Sequence, residues 1–63
     1  MTKAEFMRGF NVLRAFIDDL PDGMDSEVLE IQAAIKDGAD DWAGLAEALD
    51  ETCAEWGFPS VFS

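Results

Sequence analysis

The reactive chemistry open to this chain is that of the carboxylate. Fourteen Asp and Glu stand against four Lys and Arg, histidine is absent, and Cys53 is the one cysteine. Without histidine there is no ordinary catalytic triad and no Cys/His zinc set. A pair such as Asp40 and Asp41 does acid–base work only in a buried cleft that shifts a pKa. Such a cleft is hard to build from 63 residues. The segment DDLPDGMDSEVL, Asp18 to Leu29, puts Asp22 and Gly23 at the fifth and sixth positions of a calcium loop. It fails elsewhere: Leu20 takes a ligand position, Leu29 stands where a bidentate Glu is required, and Pro21 interrupts the loop. A helix–turn–helix connection with capping acids is the better reading. No catalytic, metal or cofactor-binding residue is expected, and the chain reads as a non-enzyme.

The charge itself is the outlier. The formal net charge is −10, and it is unevenly placed. Residues 1–17 hold one acid (Glu5) and three bases (Lys3, Arg8, Arg14), for +2; residues 18–63 hold thirteen acids and one base (Lys36), for −12. A field of that sign repels nucleic acid and anionic membranes and draws in basic surfaces. The ordinary alternative is a solvated surface serving solubility, or a halophilic proteome. The composition is too apolar for a disordered acidic tail: 49% of residues are hydrophobic, with five Phe and two Trp. There is no run of about 18 apolar residues, so no membrane span is expected. MTKAEFMRGF is amphipathic rather than a signal peptide. With a free thiol, the reading is cytoplasmic.

The elements that position these acids are read from period and caps. A single all-α domain over residues 1–63 is expected. Helix 1 spans about residues 3–20, opened by the capping box Thr2…Glu5 and closed before Pro21. Phe6, Phe10, Leu13, Ile17 and Leu20 form its apolar face, widened by Met7 and Phe16. Gly9 within it is expected at a close helix contact, and Arg14 is in reach of Asp18 four residues on. PDGMD, residues 21–25, is a turn. Helix 2 runs about residues 26–37, capped by Asp25 or Ser26, with Val28, Ile31 and Ile35 inward, Leu29 beside them, and Gly38 as its stop. Helix 3 runs about residues 41–56 from an Asp40 N-cap to Gly57. Its inward stripe is Trp42, Leu45, Leu49, Cys53 and Trp56, so Cys53 and both Trp are read as core. Phe58, Val61 and Phe62 are too apolar to dangle. The prediction is a small three-helix bundle with this C-terminal apolar tail packed over the helix ends.

On a wheel of about 100° per residue, Asp40, Glu47, Glu51 and Glu55 lie opposite the apolar stripe, flanked by Asp41 and Asp50. Ala43, Gly44, Ala48 and Ala54 fill the remaining outward positions. Glu47, Glu51 and Glu55 step by four residues, each about 6 Å from the next. Duplex DNA carries one charge per ~1.7 Å, so the acidic part of the chain matches about 20 Å of duplex. A second acidic group, Asp18, Asp19, Asp22, Asp25, Glu27 and Glu30, surrounds the first turn. Asp25 and Glu27 favour the start of helix 2, whereas Asp18 and Asp19 meet the wrong end of the helix 1 dipole. Asp50 and Glu51 are likewise without a local benefit. Repulsion kept without local gain implies a task at the surface: binding a basic groove that ordinarily holds nucleic acid.

A tiny, all-helical, histidine-free and strongly acidic chain resembles the phage-encoded inhibitors that mimic DNA, and among them the small helical anti-CRISPR proteins. An inhibitor of a type I-C system is the member it looks most like. The likeness covers the whole chain in size and charge and rests on no diagnostic motif. It implies that the acidic face occupies the basic channel of a crRNA-guided surveillance complex and blocks the PAM-reading large subunit, in the cytoplasm of a bacterial host. Asp40, Asp41, Glu47, Asp50, Glu51 and Glu55 are then the first contact residues, and Asp18, Asp19, Asp22 and Asp25 the second. The partner is a basic nucleic-acid-binding protein, with no direct nucleic acid and no membrane, and a monomer is expected over a homodimer. The competing class is a helical interaction or dimerisation module, whose apolar contacts would come from Met7, Phe16, Phe58 or Phe62 and whose acids serve solubility.

Overall fold

The computed structural model describes residues 1–62 and is a bundle of three α-helices without strands among those residues. Helix α1 covers Lys3–Arg14, a 3₁₀ turn covers Ile17–Asp19, α2 covers Met24–Lys36 and α3 covers Trp42–Glu55. No helix among the described residues is long and apolar enough to cross a membrane.

The capping box forms as read. The Thr2 amide donates to Glu5 Oε1 at 3.0 Å, and the Glu5 amide donates to Thr2 Oγ1 at 3.2 Å. The Thr2 amide's bond holds the Glu5 carboxyl below its ordinary value, with the Thr2 side chain contributing second. The far end of α1 differs from the expectation. The helix stops at Arg14, and Ile17–Asp19 tighten into a 3₁₀ turn. Two causes converge there. Asp18 and Asp19 would add negative charge to the negative end of the dipole, and Pro21 requires an extended residue before it, which Leu20 supplies at φ −78°, ψ 148°. The turn still delivers Ile17 and Leu20 to the core. Because the helix ends early, Asp18 no longer lies four helical residues beyond Arg14, and Arg14 Nε donates instead to Gln32 Oε1 at 2.7 Å.

Helix α2 begins two residues sooner than read, with Gly23 at its N-cap and φ of 104°. This early start turns Met24 fully into the core. Asp25 therefore acts from inside the first turn, accepting from the Gly23 and Ser26 amides at 3.1 and 2.9 Å. At the start of α3 the cap is Asp41 rather than Asp40, its carboxylate accepting from the Gly44 amide at 3.1 Å. Both downstream stops are as predicted. Gly38 and Gly57 take φ of 101° and 77°, and each closes a Schellman motif. Ala39 N donates to the Ala34 carbonyl at 3.0 Å, and Phe58 N to the Cys53 carbonyl at 2.8 Å.

Phe6, Phe10, Leu13, Leu20, Met24, Val28, Ala46, Leu49 and Cys53 form the core. Cys53 is buried as read, and desolvation, with Asp50 nearby, pushes its thiol pKa up. The tail folds back. The Phe62 ring stacks on Phe6 with centroids 5.6 Å apart, while Phe58 stays at the surface. Gly9 serves this tail and not a helix–helix contact: a Cβ there would sit 2.6 Å from the Phe62 ring. Phe16 does not widen the buried face of α1, because it lies beyond the helix end and points outward. Leu29 is also exposed.

Candidate protein-binding face

Helices α2 and α3 run antiparallel, since Glu27 near the start of α2 meets Trp56 at the end of α3. Between them lies an open groove of about 340 Å³. Its walls carry Glu27 and Glu30 from α2 and Glu51 and Glu55 from α3, and its floor is Ile31, Ala34, Leu45, Ala48 and Thr52. Ala34 and Ala48 project little, which leaves the groove open between the two helices. Thr52 is buried and satisfies its hydroxyl locally, donating to the Ala48 carbonyl at 3.1 Å.

On the other side of the α3 ridge, Glu47, Asp50 and Glu51 line a shallower apolar depression with Ala43, Ala46, Ala54 and Met1. Glu51 borders both concavities. The outward acids of α3 thus form a ridge with a recess on each flank.

The ten acids singled out by sequence separate into two kinds. Three work within the fold: Asp25 and Asp41 hold helix-start amides, and Asp50 accepts from the Ser60 hydroxyl at 2.6 Å, tying the tail to α3. Asp50 therefore has a local role that its place near the end of the helix hid. Glu47, Glu51, Glu55, Asp40, Asp18, Asp19 and Asp22 are exposed, and among the described residues no hydrogen bond engages their carboxylates. Glu51 and Glu55 come together in the groove, and Glu47 joins Glu51 on the far flank. Asp40 and Asp41 lie at the opposite end of α3 from Glu55.

The turn acids approach the C-terminal end of α3, because Gly23 packs against the Trp56 ring. Asp22 and Asp25 flank that glycine, so the two acidic groups adjoin there. Sequence reasoning left Glu27 and Glu30 outside the contact set. Their spacing with Ile31 and Ala34, at 27, 30, 31 and 34, marks one face of α2 and was the signal that could have found them.

No family model, no curated protein and no solved structure matches this chain.

Proposed function

We propose that this chain is a non-enzymatic inhibitor whose α2–α3 acidic face mimics DNA and blocks the basic DNA-binding groove of another protein. The observation that carries this reading is the groove with four carboxylates on its walls and small side chains on its floor. Glu30, Glu51 and Glu55 there hold no hydrogen bond from the described residues, so their charge is directed outward. Like charges so placed oppose folding, and a basic partner relieves that cost by mutual neutralisation. The molecule is 27 Å in its longest extent, long enough to span the about 20 Å of duplex that carries as many charges as the net −12 of residues 18–63. The resemblance in size and charge to small helical anti-CRISPR proteins names the partner class: the PAM-reading subunit of a bacterial surveillance complex, type I-C first. A gel shift of PAM-bearing duplex by purified type I-C complex tests this, since the chain is expected to abolish the shifted band.

A second reading has its own observation. Val12 and Phe16 are exposed four residues apart, which suits an apolar interaction surface. Of the other apolar contacts considered for it, Phe58 is also at the surface, whereas Met7 and Phe62 pack against the core.

A further inference from the structure

The α2–α3 groove is too small for a helix. An α-helix is about 10 Å across, and in about 340 Å³ a cylinder of that width runs only about 4 Å, short of one turn of about 5.4 Å. Nor do its acids suit a metal ion, since among the described residues no three of them converge closely enough to hold one. The carboxylates stand instead on two walls, with apolar side chains between them. Ile31 and Leu45 are half-buried, so part of each lies bare on the floor.

The antiparallel register sets the walls against each other. Residue 27 meets residue 56, so residue 30 stands level with residue 53, between Glu51 and Glu55. Glu30 is thus faced by two carboxylates of the other helix. All three are exposed, and among the described residues no hydrogen bond engages them.

We propose that this groove receives arginine side chains of the basic partner, an inference that rests on the reading of this face as a DNA mimic. The methylene stem lies over Ile31 and Leu45 and covers the apolar surface left bare there. The guanidinium is planar and carries five donors in a fixed fork. It reaches Glu30 on one wall and Glu51 or Glu55 on the other. A lysine ammonium is a compact point charge and more strongly hydrated, so it joins the two walls less well and loses more on entry. Two charged walls above an uncharged floor also describe a narrow DNA minor groove, whose potential draws in basic side chains, arginine among them. The groove therefore imitates the slot between two phosphate rows, and its specificity lies in the floor as well as in the charge.

Methyl-detected NMR titration of the full chain with hexa-arginine and hexa-lysine peptides, at equal salt, tests the proposal. Arginine is expected to bind at least about tenfold tighter, the worth of one charge-assisted hydrogen bond, and to shift the methyl signals of Ile31, Ala34, Leu45 and Ala48. Ala48→Leu fills the floor without changing the charge and should remove the preference for arginine while circular dichroism stays helical. Glu30→Gln, at an exposed position, should weaken arginine more than lysine. Equal affinity for the two peptides overturns the proposal, as do floor methyl signals that do not move or a preference that survives both variants. The gel shift of the type I-C complex separates this from the wider reading. Inhibition there without an arginine preference overturns the groove alone. An arginine-selective groove beside an undisturbed gel shift supports the groove and contradicts only the choice of complex.

Discussion

The indole Nε1 of Trp56 donates to the Glu27 carboxylate at 2.9 Å, joining the end of α3 to the first turn of α2. This bond fixes the width of the acidic groove at its C-terminal end, because Glu27 is itself on the groove wall. It also anchors a half-buried ring against Gly23. Trp56→Phe loses the donor together with the outer indole atoms that meet Gly23. It is expected to cost at least about 1 kcal/mol, the net value of a typical intramolecular hydrogen bond, read as a lower urea midpoint with unchanged slope. A midpoint equal to wild type would show that the bond adds nothing.

Gly9 gives a prediction against helix propensity. Alanine in an exposed helix interior should stabilise by about 1 kcal/mol. Here the added Cβ meets the Phe62 ring and lies 3.0 Å from the Val61 carbonyl oxygen. Gly9→Ala is therefore expected to destabilise, by about 1–3 kcal/mol as overpacking does, and to speed proteolysis of the tail. A stabilised variant would mean the tail does not rest on Gly9.

The early helix end and the tail contact show where sequence reasoning reached and where it stopped. The capping box, the two glycine stops and the Leu49–Cys53 stripe depend on neighbours within one turn, and all were legible. The end of α1 was not, because the apolar period runs unbroken through Ile17 and Leu20, and a 3₁₀ turn serves that period too. Met24 was hidden in a segment rich in turn formers. Thr2 and Glu5 announce their bond by spacing, whereas Asp50 and Ser60 are brought together only by the folded tail. For the same reason the α3 acids could be placed on one face, but their pairing with Glu27 and Glu30 across the groove required the helix packing.

Glu5 predicts a pH effect of known sign. Its folded pKa is depressed by the Thr2 bonds. Its contribution is thus fully present above the ordinary value of 4.5 and is lost as pH falls through the folded value. Glu5→Gln keeps an acceptor for the Thr2 amide without titrating. The stability difference between wild type and Glu5→Gln should be constant near neutral pH and shift against wild type below pH 4.5. Parallel curves down to strong acid would contradict this.

Cys53 is 1% exposed, and its thiol pKa is raised by desolvation first and Asp50 second. Thiolate is the reactive form. Labelling by a thiol reagent at neutral pH should be slow in the native state and fast in denaturant. Equal rates would place the thiol outside the core.

Because Asp25, Asp41 and Asp50 support the fold, charge reversal at those positions confuses binding with stability. Glu47 and Glu51 are exposed, and among the described residues their carboxylates accept no hydrogen bond, so reversing them isolates the charge. The decisive measurement is the gel-shift competition with purified type I-C surveillance complex and PAM-bearing duplex, comparing the wild-type chain with Glu47→Lys/Glu51→Lys at low and moderate salt. The predicted result is loss of the shifted band with wild type, weakening as salt rises, and an intact band with the variant, whose helical spectrum is unchanged. A band undisturbed by the wild-type chain would contradict inhibition of this complex, and equal inhibition by both proteins would contradict the acidic face as its cause.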